Sequence, residues 1–331
     1  MKMDKNLRDK IFQINNDSDF LNQALEIFEY QCNNNAVYRS FAENLNRNPK
    51  KVSRLVELPF LPIEFFKNHV IISDNGKVQK TFESSGTTGE FTSRHHVLDL
   101  GLYIESFVKT FRMFYGDPSE YMIAAILPSY VERGNSSLVY MVDSLIEMSC
   151  NPLSGFYQIT DNALLDNITS TVNKKKILLG VSFALLDLAE TKRLDLSGSI
   201  VMETGGMKGR RKEMTRAELH KILTKAFNVP TIHSEYGMTE LLSQAYSKEN
   251  GIFYPPPWMK IVLRDLHDPL SLFTEHGQIG GINIIDFANI NSCSFIATGD
   301  VGKLLPCGGF EVLGRFDNSD IRGCNLLTET F

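Results

Sequence analysis

Short apolar runs of β-type residues alternate with helical stretches through the middle of the chain, and this alternation restricts the fold more than any other feature. Residues 122–127, 177–181 and 200–202 read as strands that are apolar at nearly every position. Such runs suit sheets covered on both faces, because a strand with one wet face alternates apolar with polar residues. Residues 102–114 and 215–227 repeat their apolar side chains at helical spacing. The pattern predicts an α/β architecture with buried sheets. Upstream, Asp17, Ser18 and Asp19 read as a helix start, with Phe20, Leu21, Ala24, Leu25 and Phe28 on one face. A second helix is expected over 37–45, stopping near Pro49. Leu58 to Ile63 should be extended, since each proline biases its predecessor away from the α region. Asp74, Asn75 and Gly76 predict a hairpin turn joining 70–73 to 78–82. From Ile252 onward strands and tight turns dominate, with turns expected at Pro255 to Pro257, Gly280 and Gly281, and Gly308 and Gly309. No internal repeat, low-complexity segment or long linker interrupts the chain, so it reads as one compact unit of sub-lobes.

Composition serves mainly to exclude. Of 331 residues, 43% are hydrophobic and 22% charged, enough apolar material for a large core. A net charge of −5 argues against a nucleic-acid partner, which needs a concentrated basic face. The basic runs at 174–176 and 208–212 are short and read as solvated surface. The five cysteines, Cys32, Cys150, Cys293, Cys307 and Cys324, include no Cys-x-x-Cys pair, so neither a disulfide framework nor a zinc site is expected. Cys293 and Cys307 lie in apolar, strand-like surroundings and read as structural. No apolar run approaches the roughly 18 residues of a membrane span, and residues 1–16 lack a signal-peptide block. The expected location is the cytoplasm.

Four segments carry chemistry. Ser84, Ser85, Gly86, Thr87, Thr88 and Gly89 form a donor-rich loop after an apolar strand, able to bring backbone N–H groups and hydroxyls to phosphate. No Gly-Lys-Ser/Thr follows, so it is not a Walker loop. Residues 234–240 place Tyr236, Gly237, Thr239 and Glu240 together, an aromatic face, a hydroxyl and a carboxylate suited to a magnesium nucleotide. Thr298, Gly299 and Asp300 offer a carboxylate after a tight turn, able to accept two ribose hydroxyls. Gly314, Arg315, Phe316 and Asp317 offer a cation, and Ile321, Arg322 and Gly323 follow. Taken singly, each is an ordinary surface turn. The histidines His95, His96 and His233 read as surface or hydrogen-bonded side chains. His95 and His96, adjacent on a strand, should point to opposite faces, and Trp258 should be core.

In this order, the four segments resemble the adenylate-forming superfamily, which includes acyl-CoA synthetases, luciferases and adenylation domains of peptide synthetases. The resemblance implies that the 84–89 loop grips the β- and γ-phosphates of ATP. It assigns Tyr236 to adenine, Thr239 to phosphate and Glu240 to Mg²⁺, Asp300 to the ribose, and Arg315 to ribose and α-phosphate. Gly205 and Gly206 would line the adenine and acyl pocket. Two departures stand out. The family's Pro-Lys after the loop is replaced by a stretch ending in Arg94, a substitute cation. The chain also stops soon after Gly323, so the family's mobile C-terminal domain, with its adenylation lysine, is expected to be absent.

That shortened form is similar to the LuxE-type acyl-protein synthetases, in Leu58 to Pro62, Phe65 to Lys67, Glu203 to Gly209, and Arg322 to Cys324. The resemblance implies an adenylation domain over 1–315, helical over 1–60 and α/β with a small β-rich section over 61–315. A tail over 316–331 would carry Cys324 as the acyl acceptor, its thiolate favoured by Arg322. The implied reaction activates a fatty acid with ATP, passes the acyl group to Cys324 and then to a reductase or other acceptor protein. Two other readings stay open: an acyl-CoA or acyl-carrier ligase of the phenylacetate-CoA-ligase type completed by another chain, and a non-catalytic nucleotide-binding scaffold. The intact pairing of Thr239 with Glu240 speaks against the scaffold.

Overall fold

The computed structural model describes residues 5–74, 76–84, 92–128, 134–161, 166–168, 174–192, 194–207, 211–212 and 214–316. Three helices come first, α1 (Lys5–Lys10), α2 (Asp17–Asn34) and α3 (Ala36–Asn44). A short strand β1 (Leu61–Pro62) and the single turn α4 (Phe65–Asn68) lead to a hairpin of β2 (Lys80–Glu83) and β3 (Arg94–Val97). The alternating part follows: α5 (Leu100–Tyr115), β4 (Tyr121–Ile126), α6 (Ser137–Ser149), β5 (Gly155–Phe156), β6 (Lys175–Val181), α7 (Ser182–Thr191), β7 (Ile200–Thr204), α8 (Arg216–Phe227), β8 (His233–Tyr236) and β9 (Ala245–Ser247). The last described part is β10 (Ile252–Phe253), β11 (Met259–Arg264), β12 (Leu272–Phe273), β13 (Ile279–Asp286), β14 (Phe295–Leu304) and β15 (Phe310–Arg315).

Strands β5-β4-β6-β7-β8-β9 form a six-stranded sheet, parallel except for the antiparallel edge strand β9. Parallel neighbours need a crossover, and α6, α7 and α8 supply three of them. All six positions of β4 are buried, as its unbroken apolar run requires. Strands β10-β15-β14-β13-β11-β12 form a mostly antiparallel second sheet, with β1 parallel to β14 at its middle. Side chains cap the helices at their starts. Asn16 accepts from Asp19 N before α2, Asp99 from Leu102 N before α5, and Thr215 with Glu218 makes a capping box at α8. The N-terminal helices pack on the second sheet. Phe20 stacks on Phe287 with centroids 4.4 Å apart, and the buried Gln31 bonds Ser294 N and the Ile290 carbonyl, each at 3.0 Å. No described helix is long and apolar enough to cross a membrane.

Some local expectations are corrected. Residues 70–73 and 78–82 do not pair around Asp74; Asn75 lies outside the described residues. Ser73 N donates instead to the Asn291 carbonyl, and β2 pairs with β3. Gly280 and Gly281 are not a turn but strand residues of β13, opposite Gly302 and Val301. Asp300 follows no turn; it lies inside β14, in register with Arg315. Cys293 is buried as expected, whereas Cys307 is exposed in the turn before β15, its Sγ 3.4 Å from the Tyr254 hydroxyl. Trp258 is core, at 3% exposure.

Candidate active site

In an open parallel sheet the space beyond the carboxyl ends of the strands is where loops can converge on a ligand. Strands β7 and β8 run in register, Thr204 beside Glu235, so their following loops leave from the same edge. The β7 loop holds Gly205, at φ +68°, and Gly206, above whose Cα there is open space. Ser182, opening α7 beside them, donates to the Gly205 carbonyl at 3.0 Å. The β8 loop carries Tyr236, Gly237, Thr239 and Glu240. A Cβ at Gly237 would lie 2.5 Å from Glu235 Oε1, so a side chain there would have to displace that buried carboxyl.

Three candidate residues from three strands meet directly. The Tyr236 hydroxyl donates to Asp300 Oδ2 at 2.7 Å, and Arg315 Nε donates to Asp300 Oδ1 at 3.0 Å. The Tyr236 ring packs on Phe253 and Phe310, and burial beside Asp300 pushes its phenol well above the usual range. The Arg315 side chain remains 78% exposed while the Asp300 side chain is at 8%, so the pair offers a cation to solvent above a fixed carboxylate.

Glu240 is 5% exposed. Burial holds its carboxyl above the ordinary range, opposed by a hydrogen bond from Ser93 and by the charges of Arg315 and Lys67. A carboxylate so far from water is costly unless a cation meets it, and a magnesium nucleotide fits this donor set: one buried carboxylate, a solvent-exposed guanidinium paired with Asp300, and hydroxyls. Asp286 locks the chain just beyond. It accepts from Leu242 N, Ser243 N, the Ser243 hydroxyl and Ala288 N, and burial pushes its carboxyl up to about 6. Ser84 closes the base of the phosphate-loop candidate: its Oγ accepts from Ser93 N at 2.9 Å and its N donates to the Ser93 carbonyl at 3.0 Å. Ser85, Gly86, Thr87, Thr88, Gly89, Arg322 and Cys324 lie outside the described residues. Arg94 is exposed at the start of β3.

The histidines split as expected. His95 is buried and His96 half-buried, bonded to the Thr81 hydroxyl at 2.9 Å. His233 faces the Tyr115 hydroxyl at 3.2 Å, and burial lowers it to about 4. Sequence reasoning gave no role to Lys67, Ser93, Glu203 or Glu235. Lys67 and Glu203 lay inside segments noted only for their resemblance, while Ser93 and Glu235 lay inside noted segments without a role of their own and show themselves only through burial and contact. No cluster of three or more potential metal-ligating His, Cys, Asp or Glu occurs among the described residues.

With this geometry in hand, comparison with known proteins gives the class. No family model matches the chain. The fold is that of adenylate-forming enzymes: ATP-bound MatB from Rhodopseudomonas palustris superposes with a TM-score of 0.52 at 18% identity, covering 73% of this chain and 49% of that one. The luciferase-like enzyme of the nonluminescent mealworm Zophobas morio superposes with a TM-score of 0.52 at 14% identity, covering 74% and 60%. The chain thus spans about half the length of the first solved structures it matches. In sequence it is similar, more particularly, to the long-chain-fatty-acid–luciferin-component ligase of Vibrio harveyi, at 24% identity over 90% of this chain and 84% of that protein. The resemblance to the LuxE-type branch of the adenylate-forming superfamily is thereby borne out.

Proposed function

We propose that this chain is an ATP-dependent acid ligase that converts a carboxylic acid, most simply a fatty acid, into an acyl-adenylate. The observation that carries this reading is the convergence of Tyr236, Asp300 and Arg315 through direct hydrogen bonds, beside a buried Glu240 that feels the charge of Arg315. Asp300, held by Tyr236, receives the ribose hydroxyls. Arg315 meets the ribose and α-phosphate, and Thr239 with the 84–89 loop meets the outer phosphates. Glu240 holds Mg²⁺, which when bound neutralises charge on the phosphate oxygens. An acid carboxylate oxygen attacks the α-phosphorus, the bond from that phosphorus to the bridging oxygen breaks, and pyrophosphate leaves with the electron pair. Negative charge grows on oxygens already anionic, so fixed donors such as Arg315 and Thr239 lower the barrier, typically by about 3–4 kcal/mol per donor.

In the second half-reaction a thiolate attacks the acyl carbon and AMP departs. The 1–315 part acts as the adenylation domain, and Cys324 in the 316–331 segment supplies the thiol before an acceptor protein takes the acyl group. The name and coverage of the Vibrio harveyi relative support this over a CoA-dependent ligase. The test is incubation with ATP, Mg²⁺ and a panel of fatty acids, read by intact mass. We expect a hydroxylamine-labile acyl adduct, lost in Cys324→Ser and kept in Cys307→Ser, the control at an exposed thiol. Pyrophosphate release without an adduct would move the acceptor to CoA or a carrier protein. Absence of acid-dependent pyrophosphate exchange would remove the ligase reading.

A further inference from the structure

The Thr239–Glu240 turn is held from behind by buried side chains that none of the chemistry above uses. His95 on β3 is 1% exposed; its Nδ1 lies 2.9 Å from the Thr239 carbonyl oxygen and its Nε2 2.9 Å from Ser292 Oγ. A carbonyl oxygen can only accept, so Nδ1 bears the proton. In a neutral ring Nε2 then accepts from the Ser292 hydroxyl, and burial keeps the ring neutral, its pKa lowered to about 4. Asn289, 0% exposed, donates through Nδ2 to the next carbonyl, that of Glu240, at 2.7 Å. On the strand that carries His95, Ser93 reaches the Glu240 carboxylate and closes the loop base with Ser84. Loop base and turn are therefore joined through one short stretch of chain, residues 93–95.

We propose that His95 is a positioning residue for Mg·ATP: its Nδ1–H fixes the Thr239–Glu240 turn relative to the loop base at Ser84 and Ser93, with Asn289 holding the next carbonyl of the same turn. The inference rests on the ligase reading above and deepens it. An outer-shell donor of this kind typically changes metal affinity or activity by about 10- to 100-fold when removed.

Two isosteres separate donation from mere filling of space. The Asn amide nitrogen falls where Nδ1 stands, and the Gln amide nitrogen falls where Nε2 stands. His95→Asn should therefore keep a donor to Thr239 and a dissociation constant for Mg·ATP close to wild type by titration calorimetry. His95→Gln should weaken it by about 10- to 100-fold and raise KM for ATP more than KM for the acid. In the ligand-free protein, ¹⁵N-histidine NMR should find His95 as the Nδ1–H tautomer. Equal Mg·ATP affinity for both variants, or an Nε2–H tautomer in the free protein, overturns the proposal. A wild-type protein that binds no Mg·ATP instead overturns the ligase reading, and this inference with it.

Discussion

Glu235 shows how far the fold goes in withholding water from a carboxyl. It lies on β8 in register with Thr204 of β7, next to the Glu203–Ser234 pair, and its Oε2 accepts from the Thr204 hydroxyl. Burial, with some repulsion from Glu203, pushes it up from 4.5 to about 7, against the Thr204 hydrogen bond. The sign of the stability effect follows. Between those pH values the native protein binds the proton and the unfolded chain does not, so this contribution is full below about pH 4.5 and is lost as pH rises through about 7. Glu235→Gln keeps an acceptor for Thr204 and removes the titration. Relative to wild type, the variant should gain on the order of 3 kcal/mol between pH 5 and pH 8, at 1.36 kcal/mol per pKa unit. Urea unfolding at the two pH values measures this, and parallel changes in both proteins would mean that Glu235 titrates normally. Residues of this kind were illegible in the sequence, because a buried carboxyl and a solvated one are spelled alike. Tyr236, Asp300 and Arg315 were legible because each sits in a compact motif, although their contacts span 64 and 15 positions.

At the scale of elements, β13 and β14 are shaped by glycines that face each other, Gly280 opposite Gly302. A Cβ on Gly302 would lie 2.5 Å from the Glu311 carbonyl oxygen and 2.6 Å from Ile282 Cδ1, and backbone cannot swing aside as a side-chain tip can. Gly302→Ala should cost about 1–3 kcal/mol, the usual range for overpacking. Gly299→Ala, where a Cβ meets nothing within 4 Å, should stay within about 0.5 kcal/mol. Denaturant midpoints with unchanged slopes would bear this out, and similar losses at both positions would locate the cost in strand propensity instead. The same pair explains a misreading. Glycines serve turns and close strand approaches alike, and what distinguishes Gly280 is the Arg264 carbonyl and the Phe273 ring above it, both supplied by other strands. Strands β4, β6 and β7 were legible because burial on both faces leaves an unbroken apolar run. The hairpin around Asp74 failed because residues 70–73 found Asn291, more than 200 positions away, in place of a local partner.

For the whole molecule the question is how two sheets form one site, and Arg216 gives a large part of the answer. From the first turn of α8 its Nε donates to Glu203 Oε1 on β7 at 3.1 Å, and its Nη1 to the Val312 carbonyl on β15 at 3.0 Å. Its guanidinium lies 4.8 Å from the ring centroid of Phe253 on β10. One side chain thus ties the sheet that presents Gly205 to the strand that presents Arg315. Glu203 is 2% exposed, and its carboxyl is held low against the cost of burial by His220, Arg216 and Ser234. Removing the guanidinium leaves that carboxylate short of its cation, a loss of about 3–5 kcal/mol for a fully buried pair. Arg216 is 26% exposed and His220 Nε2 remains 3.5 Å away, so Arg216→Ala should fall at the lower end, about 3 kcal/mol. Adding Glu203→Gln removes the stranded charge, and the double variant should be more stable than Arg216→Ala alone by about 1 kcal/mol or more. Unfolding should remain a single transition, because the Tyr236–Asp300 bond also crosses between the sheets. Two resolved transitions in Arg216→Ala would mean that this arginine alone makes the sheets cooperative. A double variant no better than the single would mean that Glu203 is protonated once Arg216 is gone, and that packing on Phe253 and the Val312 bond carry the loss.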